Sequence, residues 1–460
     1  MKVLLLNPPG RKVYIRDYFC SKVSQAHYVS HPIDLVMMSA LLKSADHKVV
    51  LVDAIVERLL PDKAEQRIAD EQPDVIISLA GAVSWEEDRV FLRRVKQSVG
   101  TRLVVCGDLF VEDPARYLAE EDFIDAIVLD FTSRDILKYL EGIPGPLPAV
   151  AARGRDREEP DDSRTFDLPV PPLHRLFLKL HYRYPFTLSP AYCSVLTEYG
   201  CPFDCSFCIM GKLRYKTRSV ENVIEELRHI ASLGVREVFF VDQTFGAKGD
   251  KTRRMLEEMV RLKLGLSWFC FSRVDVLRGD LLSLMKEAGC HTVILGIESG
   301  SEELLARYRK GYDKAQIRQT VAMCRDLGIN TMGTFIIGLP DETEETAAET
   351  LAFLNELPLD YASFNVAVPR AGTDLKRDAV ELGLIVGDGV VMDQSGSRIA
   401  MPTKHLSQEH VKELRRRAVR TFYLRPRYLV TRLLKLRTWY ELVQNTRNAV
   451  SLLRNTWGRG

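Results

Sequence analysis

Short apolar runs alternate with amphipathic stretches through the first 142 residues. The runs at 3–6, 49–52, 75–79, 103–105 and 126–129 are almost unbroken and rich in β-branched residues. That is the pattern of strands buried on both faces of a parallel sheet. Helical periodicity falls between and after them, near 33–45, 62–71, 86–98, 113–120 and 133–141. Five βα units predict a doubly wound α/β domain over 1–142, with any ligand at the carboxyl ends of its strands. Pro144, Pro146 and Pro148, then the charged run 153–162, predict a linker over 143–190.

From Tyr192 the alternation resumes with different lengths. Strands are predicted at 194–197, 237–241, 268–273, 292–296, 331–337 and 361–366, with helices at 219–233, 251–263, 280–288, 314–327 and 343–356. Six parallel strands with outer helices fit a second open sheet or an incomplete barrel. A barrel gathers functional residues at the carboxyl ends of its strands, and this segment's distinctive residues follow its strands. A partial (β/α)6 barrel is therefore predicted over 191–390. Leu406, Val411, Leu414 and Ala418 repeat at helical spacing, as do Leu429, Leu433, Leu436, Tyr440 and Val443. A helical C-terminal region is predicted over 391–460, turning near Pro426.

At 460 residues, 46% hydrophobic and 27% charged, the composition is that of a globular protein of about three domains. No apolar run reaches the ~18 residues of a membrane span. The N-terminus reads as a buried strand and not as a signal peptide. Nine cysteines in so long a chain do not read as a disulfide framework, so a reducing, cytoplasmic setting is expected. Residues 404–460 hold 14 Lys and Arg against 3 Asp and Glu, and the remainder holds 50 against 59. The basic, aromatic-rich helices read either as a solvated face or as an interfacial segment at the inner face of a membrane. In the second reading Phe422, Leu433, Leu436 and Trp439 enter the lipid. Nucleic acid is not expected, because no RNA-binding module accompanies the helices.

Cys201, Cys205 and Cys208 lie in one loop, Tyr199-Gly200-Cys201-Pro202-Phe203-Asp204-Cys205-Ser206-Phe207-Cys208. Gly200 and Pro202 suit a tight, non-helical wrap that turns several side chains inward. Three thiolates are one ligand short of a structural zinc site or a sealed iron–sulfur cluster. The residues alone leave three readings: a partial zinc site, buried thiols, or a four-iron cube with one iron open to a small molecule. Cys193, Cys270, Cys290 and Cys324 are scattered singly and read as buried thiols.

The Cys-x3-Cys-x2-Cys loop, with Phe207 before the last cysteine, resembles the signature of the radical S-adenosylmethionine (SAM) enzymes. The resemblance covers about 192–370 and implies a [4Fe–4S] cluster on the three cysteines, with SAM chelating the open iron and Phe207 near the adenine. Gly296-Ile297-Glu298-Ser299-Gly300-Ser301 resembles the family's fourth-strand motif, whose acidic residue meets the SAM ribose and whose glycines admit the ligand. Asp242 and Gln243 resemble the second-strand end that faces the SAM amino group. Arg273 is a candidate for the SAM carboxylate, its alternative being an ion pair with Asp275 or Asp242. The segment 335–340, with Ile336 and Gly338, resembles the fifth strand that contacts adenine.

The resemblance extends to a subgroup with an N-terminal cobalamin-binding-like domain. The Asp-x-His-x-x-Gly pattern of histidine-ligated cobalamin is absent. The loops Gly107-Asp108-Leu109 and Leu129-Asp130-Phe131-Thr132 lack the subgroup's glycines, and Asp108 and Asp130 would repel a nucleotide-loop phosphate. On these grounds bound cobalamin is not expected. The implied reaction is reductive cleavage of SAM to a 5′-deoxyadenosyl radical that abstracts hydrogen from an unactivated carbon of a lipid-like or natural-product substrate. Carbon–carbon bond formation, ring formation or rearrangement would follow, with flavodoxin or ferredoxin as the one-electron reductant. The alternatives are a cobalamin-dependent methyl transferase, a tRNA-modifying radical enzyme and a non-enzymatic metal scaffold. Cys20, in the aromatic and polar stretch 11–31 with Tyr14, Arg16, Tyr18, His27 and His31, has no assigned role; that stretch reads as either cavity lining or a surface loop.

Overall fold

The computed structural model describes residues 1–25, 28–155, 163–170, 173–385, 392–435, 442–444 and 446. These fall into two compact units. The first gathers residues 1–24, 28–183 and 216–230, and the second the rest of the described chain. The division departs from the expected boundary at 191, because most of α6 (Val220–Ser232) groups with the first unit.

The first unit is built on a six-stranded sheet: β1 (Lys2–Asn7), β2 (Lys48–Asp53), β3 (Val75–Leu79), β4 (Arg102–Cys106), β5 (Ala126–Val128) and β6 (Val150–Ala152). Their order is β2-β1-β3-β4-β5-β6. The first five are parallel and β6 runs antiparallel to β5. Val3, Leu4, Leu5 and Leu6 are all fully buried, so the apolar runs take the two-sided burial that parallel strands need. Helices α1 (Ile33–Ser44), α2 (Pro61–Glu71), α3 (Trp85–Val99), α4 (Pro114–Glu120) and α5 (Asp135–Leu140) connect them. Ile68 of α2 and Phe91, Leu92 and Val95 of α3 share one core with Leu4, Ile76 and Val105.

The segment expected as a linker carries β6. Val150, Ala151 and Ala152 are apolar enough to close the sheet beside β5, and the prolines before them make the return that an antiparallel edge strand needs. Residues 156–162, most of the charged run, lie outside the described residues. The stretch after β1 begins exposed at Arg11 and Lys12 and then turns inward. Tyr14, Arg16, Tyr18, Cys20 and His31 are buried, while His27 lies outside the described residues. Arg16 forms a buried ion pair with Asp88 and donates to Asn7 Oδ1 and the Pro8 carbonyl, both at 2.9 Å. The crevice between β1 and β3, where the strand order reverses, is thus occupied by the chain's own guanidinium.

Asp34, in the first turn of α1, is buried with one oxygen bonded to the Leu35 amide at 3.0 Å. Among the described residues nothing partners its other oxygen. Burial, and then the nearby Asp17, push its carboxyl up to about 8. A carboxyl that holds its proton longer when folded costs stability as pH rises from the unfolded pKa near 4 towards 8. Asp34→Asn should therefore melt at the same temperature as the parent near pH 4 and at a higher one near pH 8, as thermal denaturation across that range would record.

The second unit carries β7 (Cys193–Val195), β8 (Glu237–Phe240), β9 (Ser267–Ser272), β10 (Cys290–Glu298), β11 (Asn330–Ile337) and β12 (Tyr361–Val366). Each is parallel to the next in the chain, in the order β12-β11-β10-β9-β8-β7. Sequential parallel pairing is the arrangement of a partial (β/α) barrel. Its helices are α7 (Gly249–Leu262), α8 (Gly279–Glu287), α9 (Glu302–Arg307), α10 (Lys314–Asp326), α11 (Glu344–Glu356) and α12 (Asp374–Glu381). The sequence reading omits α9 and α12, which are only six and eight residues long.

The C-terminal region becomes helical only at α13 (Gln408–Tyr423), followed by α14 (Pro426–Lys435). Leu406, Val411 and Leu414 pack with Ile337 and Ala347. Phe422 is fully buried, and the Tyr423 hydroxyl donates to the Ala362 carbonyl at 2.6 Å. Arg415 Nε donates to the Phe364 carbonyl at 2.8 Å, and burial lowers its pKa to about 10. Phe422 is therefore core and unavailable to a bilayer, because α13 spends its apolar stripe covering the outer faces of β11 and β12. The side chains of Arg427, Arg432, Leu433 and Lys435, and all of Leu436, Arg437, Trp439 and Tyr440, lie outside the described residues. Among the described residues no helix is long and apolar enough to cross a membrane.

Candidate metal centre and cofactor site

The cysteine loop leaves β7 at the carboxyl edge of the second sheet. Gly200 has φ +76°, and a Cβ there would lie 2.8 Å from the Arg214 carbonyl, so only glycine starts this wrap comfortably. The loop is non-helical and is tied by its backbone, Cys201 N to the Met210 carbonyl at 3.1 Å and Cys208 N to the Cys205 carbonyl at 3.0 Å. Cys205 is buried, whereas Cys201 and Cys208 are partly exposed. Burial pushes the Cys208 thiol up to about 12, and it also raises Cys201, whose sulfur lies 3.5 Å from the Thr244 hydroxyl.

Two cations from later loops face the thiols. Arg273 Nη1 donates to Cys205 Sγ at 3.2 Å, and its guanidinium lies 3.9 Å from the centre of the Phe203 ring. Lys310 is buried, with Nζ 2.8 Å from Glu298 Oε1 and 5.6 Å from the Phe207 ring centre. Burial works against its charge, but Glu298 and Tyr312 more than offset that and hold the ammonium firmly protonated. Glu298 itself sits at φ +66°, a left-handed conformation that a non-glycine residue adopts under local constraint. The β10–β11 register shifts between Gly296 and Glu298, and that bulge re-aims the carboxylate.

This donor set fits an iron–sulfur cube. Three thiols stand in one loop, and two cations stand ready to balance thiolate charge. Among the described residues no group of three His, Cys, Asp or Glu side chains gathers about a single ion. A cube gives each thiolate a different iron, so its ligands stand further apart.

Residues 195–354 match the profile of the Radical SAM superfamily. The chain is 30% identical over 454 residues to an uncharacterized methyltransferase of Pyrococcus horikoshii, an alignment covering 94% of each protein. The chain belongs to the radical SAM superfamily. Two solved structures share its fold. The methyltransferase TsrM from Kitasatospora setae, solved with cobalamin and a [4Fe–4S] cluster, is 16% identical with a TM-score of 0.69, over 99% of this chain and all of that one. The cobalamin-dependent SAM radical enzyme OxsB, solved with aqua-cobalamin and SAM, is 16% identical with a TM-score of 0.68, over 98% of this chain and 72% of that one.

The radical SAM motifs divide, in this structure, into those that meet in one place and those spent on packing. Phe207 and Ile336 pack against one apolar cluster around Leu304, Leu339 and Ala367, and both stay partly exposed. Gln243 is also partly exposed, just past β8. Asp242 is fully buried, accepting from Thr197 N and Oγ1 at 2.6 Å and from Glu198 N at 3.0 Å. It braces the strand end that feeds the cysteine loop and has no open oxygen edge for a ligand amine. Arg273 takes the ion-pair alternative, with Nε and Nη2 on the two Asp275 oxygens at 2.9 and 2.8 Å. Ser299 Oγ lies 3.1 Å from Thr350 Oγ1 and so faces α11. A Cβ at Gly300 would come within 2.6 Å of Thr350 Cα, and one at Gly338 within 2.7 Å of Val411. At both positions the absent side chain makes room for a neighbouring helix.

Sequence reasoning missed Lys310. It stands between Arg309 and Gly311, and nothing in the pattern separates it from the exposed arginines at 307 and 309. Cys270, Cys290 and Cys324, expected as buried thiols, are all fully buried. Cys290 and Cys324 lie near Cys270, and Cys290 Sγ donates to the Thr292 carbonyl at 3.8 Å.

Proposed function

We propose that this protein is a cobalamin-dependent radical SAM enzyme that transfers a methyl group to carbon in a small-molecule substrate, taking electrons singly from a donor such as flavodoxin or ferredoxin. The radical part of this reading rests on one observation: three thiols, two buried cations and the apolar pair Phe207 and Ile336 converge at the carboxyl edge of the second sheet. Similarity to a methyltransferase along nearly the whole chain supports the choice of group transferred.

Cys201, Cys205 and Cys208 would hold the [4Fe–4S] cluster; Phe207, Ile336, Gln243 and Glu298 are the SAM contacts we assign. When bound, cluster and SAM supply one-electron chemistry at an unactivated carbon, and cobalamin supplies a methyl carrier. The chain's own share is electrostatic and positional. Arg273 and Lys310 offset the charge of the thiolates, Asp242 fixes the strand end before Cys201, and Lys310 sets the Glu298 carboxylate.

The two loop aspartates of the first unit are held by the chain's own groups. Asp108 accepts from Ser21 N and Oγ at 2.7 and 2.9 Å and from Ala82 N at 2.9 Å. Asp130 accepts from Thr132 N at 2.9 Å and pairs with Lys216. Lys216 balances the Asp130 charge, and the chain's own hydrogen bonds hold both Asp108 oxygens, so neither carboxylate stands bare towards a phosphate-bearing ligand. The carboxyl edge of the first sheet is where the corrinoid would meet that unit.

Protein produced anaerobically with cobalamin supplied should carry about one corrinoid per chain, seen in its visible spectrum. Turnover with labelled SAM should then move the methyl group to a co-purified small molecule. Stoichiometric iron without any bound corrinoid would remove methyl transfer and return ring formation or rearrangement to first place.

A further inference from the structure

Arg273 is built into the loop beyond β9 so that it serves neither solvent nor an incoming carboxylate. Its Nε and Nη2 grip Asp275, and Nη2 also donates to the Lys310 carbonyl at 2.6 Å. Nη1 donates to Cys205 Sγ at 3.2 Å, and the Phe203 ring covers one guanidinium face at 3.9 Å. A guanidinium binds a carboxylate in a fork through two parallel N–H bonds along one edge. One edge here holds Asp275. The other points one hydrogen at a backbone carbonyl and another at sulfur, which leaves no fork for SAM.

We infer that Arg273 is a positioning residue for the iron–sulfur centre, a charged hydrogen-bond donor to the Cys205 sulfur that makes the cluster easier to reduce. This rests on the assignment of Cys201, Cys205 and Cys208 as cluster ligands. Hydrogen bonds to ligating sulfur and nearby positive charge both favour the reduced, more negative state of a cluster. The lock on Asp275 and on the Lys310 carbonyl holds the donor at the sulfur, and the Phe203 face excludes water that would weaken the bond. The ion pair with Asp275 thus aims the arginine at the sulfur.

The experiment compares the parent with Arg273→Met, both reconstituted anaerobically and matched for iron, with the cluster's midpoint potential followed by electron paramagnetic resonance. Reduction should become about tenfold less favourable, a midpoint about 59 mV more negative for a one-electron couple. SAM affinity should stay within about twofold. An unchanged midpoint overturns the inference, and an unchanged midpoint with weakened SAM binding makes Arg273 a ligand clamp after all. Arg273→Lys guards against a methionine variant that loses its cluster. It keeps the charge but cannot hold both Asp275 and the sulfur, so its midpoint should fall by less, and no fall would again refute the assignment. Iron content of the parent is measured first. A parent without a cube sinks the proposed function, whereas a cube with an unaltered midpoint sinks only this inference.

Discussion

Replacing Cys201, Cys205 and Cys208 together with Ala will reduce iron from about four per chain to background and abolish cleavage of SAM. The effect should be complete because each thiolate would hold a different iron, so no partial site remains. The same chain supplies the control. Cys270, Cys290 and Cys324 form a second group of three thiols, fully buried in the second unit. Replacing those three with Ala should leave about four irons in place and cost only core packing. If iron survived in the first variant and vanished in the second, the cluster would belong to the buried trio and the whole functional reading would fall.

The second large effect is expected at Lys310 and Glu298, whose side chains are 6% and 12% exposed. Lys310→Met leaves the Glu298 carboxylate buried without its partner, which should destabilise the fold by about 3–5 kcal/mol. Glu298→Gln should also cost stability, but less, because the amide oxygen still accepts from Lys310 while no longer balancing its buried charge. It should weaken SAM binding by about 1–3 kcal/mol if the carboxylate holds the ribose. The double variant distinguishes the two roles. It should recover much of the stability lost in Lys310→Met, since no unpaired charge remains, yet bind SAM no better than Glu298→Gln. Chemical denaturation and calorimetric SAM binding on all four proteins would measure the cycle. Recovery of SAM affinity along with stability would show that Glu298 matters only for folding.

Every strand assigned to the two large sheets, apart from β6, was legible in the sequence: in the first sheet because burial on both faces leaves nearly continuous apolar runs, and in β11 and β12 by alternation of buried and part-exposed positions. Val75–Leu79 matches its predicted range end to end. The cysteine loop was legible for a different reason: its three thiols are local, so their spacing survives without knowledge of the fold. β6 was hidden because three short residues at a sheet edge carry almost no pattern, and the prolines nearby pointed to a linker. The C-terminal helix was correctly periodic, but periodicity does not name what an apolar stripe covers. Phe422 could have met lipid, and it meets the barrel.

What the sequence alone determined was the class of chemistry, through contacts within ten residues of one another: Cys201, Cys205, Cys208 and Phe207. What only the tertiary structure decided were the partners that come from distant strand ends. Arg273 lies 68 residues from the sulfur it donates to, and Asp242 lies 45 from the amide it holds. Glu298 and Lys310 are only 12 apart, but α9 and a left-handed backbone must form before they meet. Side chains of one type look alike along a chain. A parallel barrel brings the ends of all its strands to one edge, and that edge separates an arginine that aims at sulfur from one that faces water.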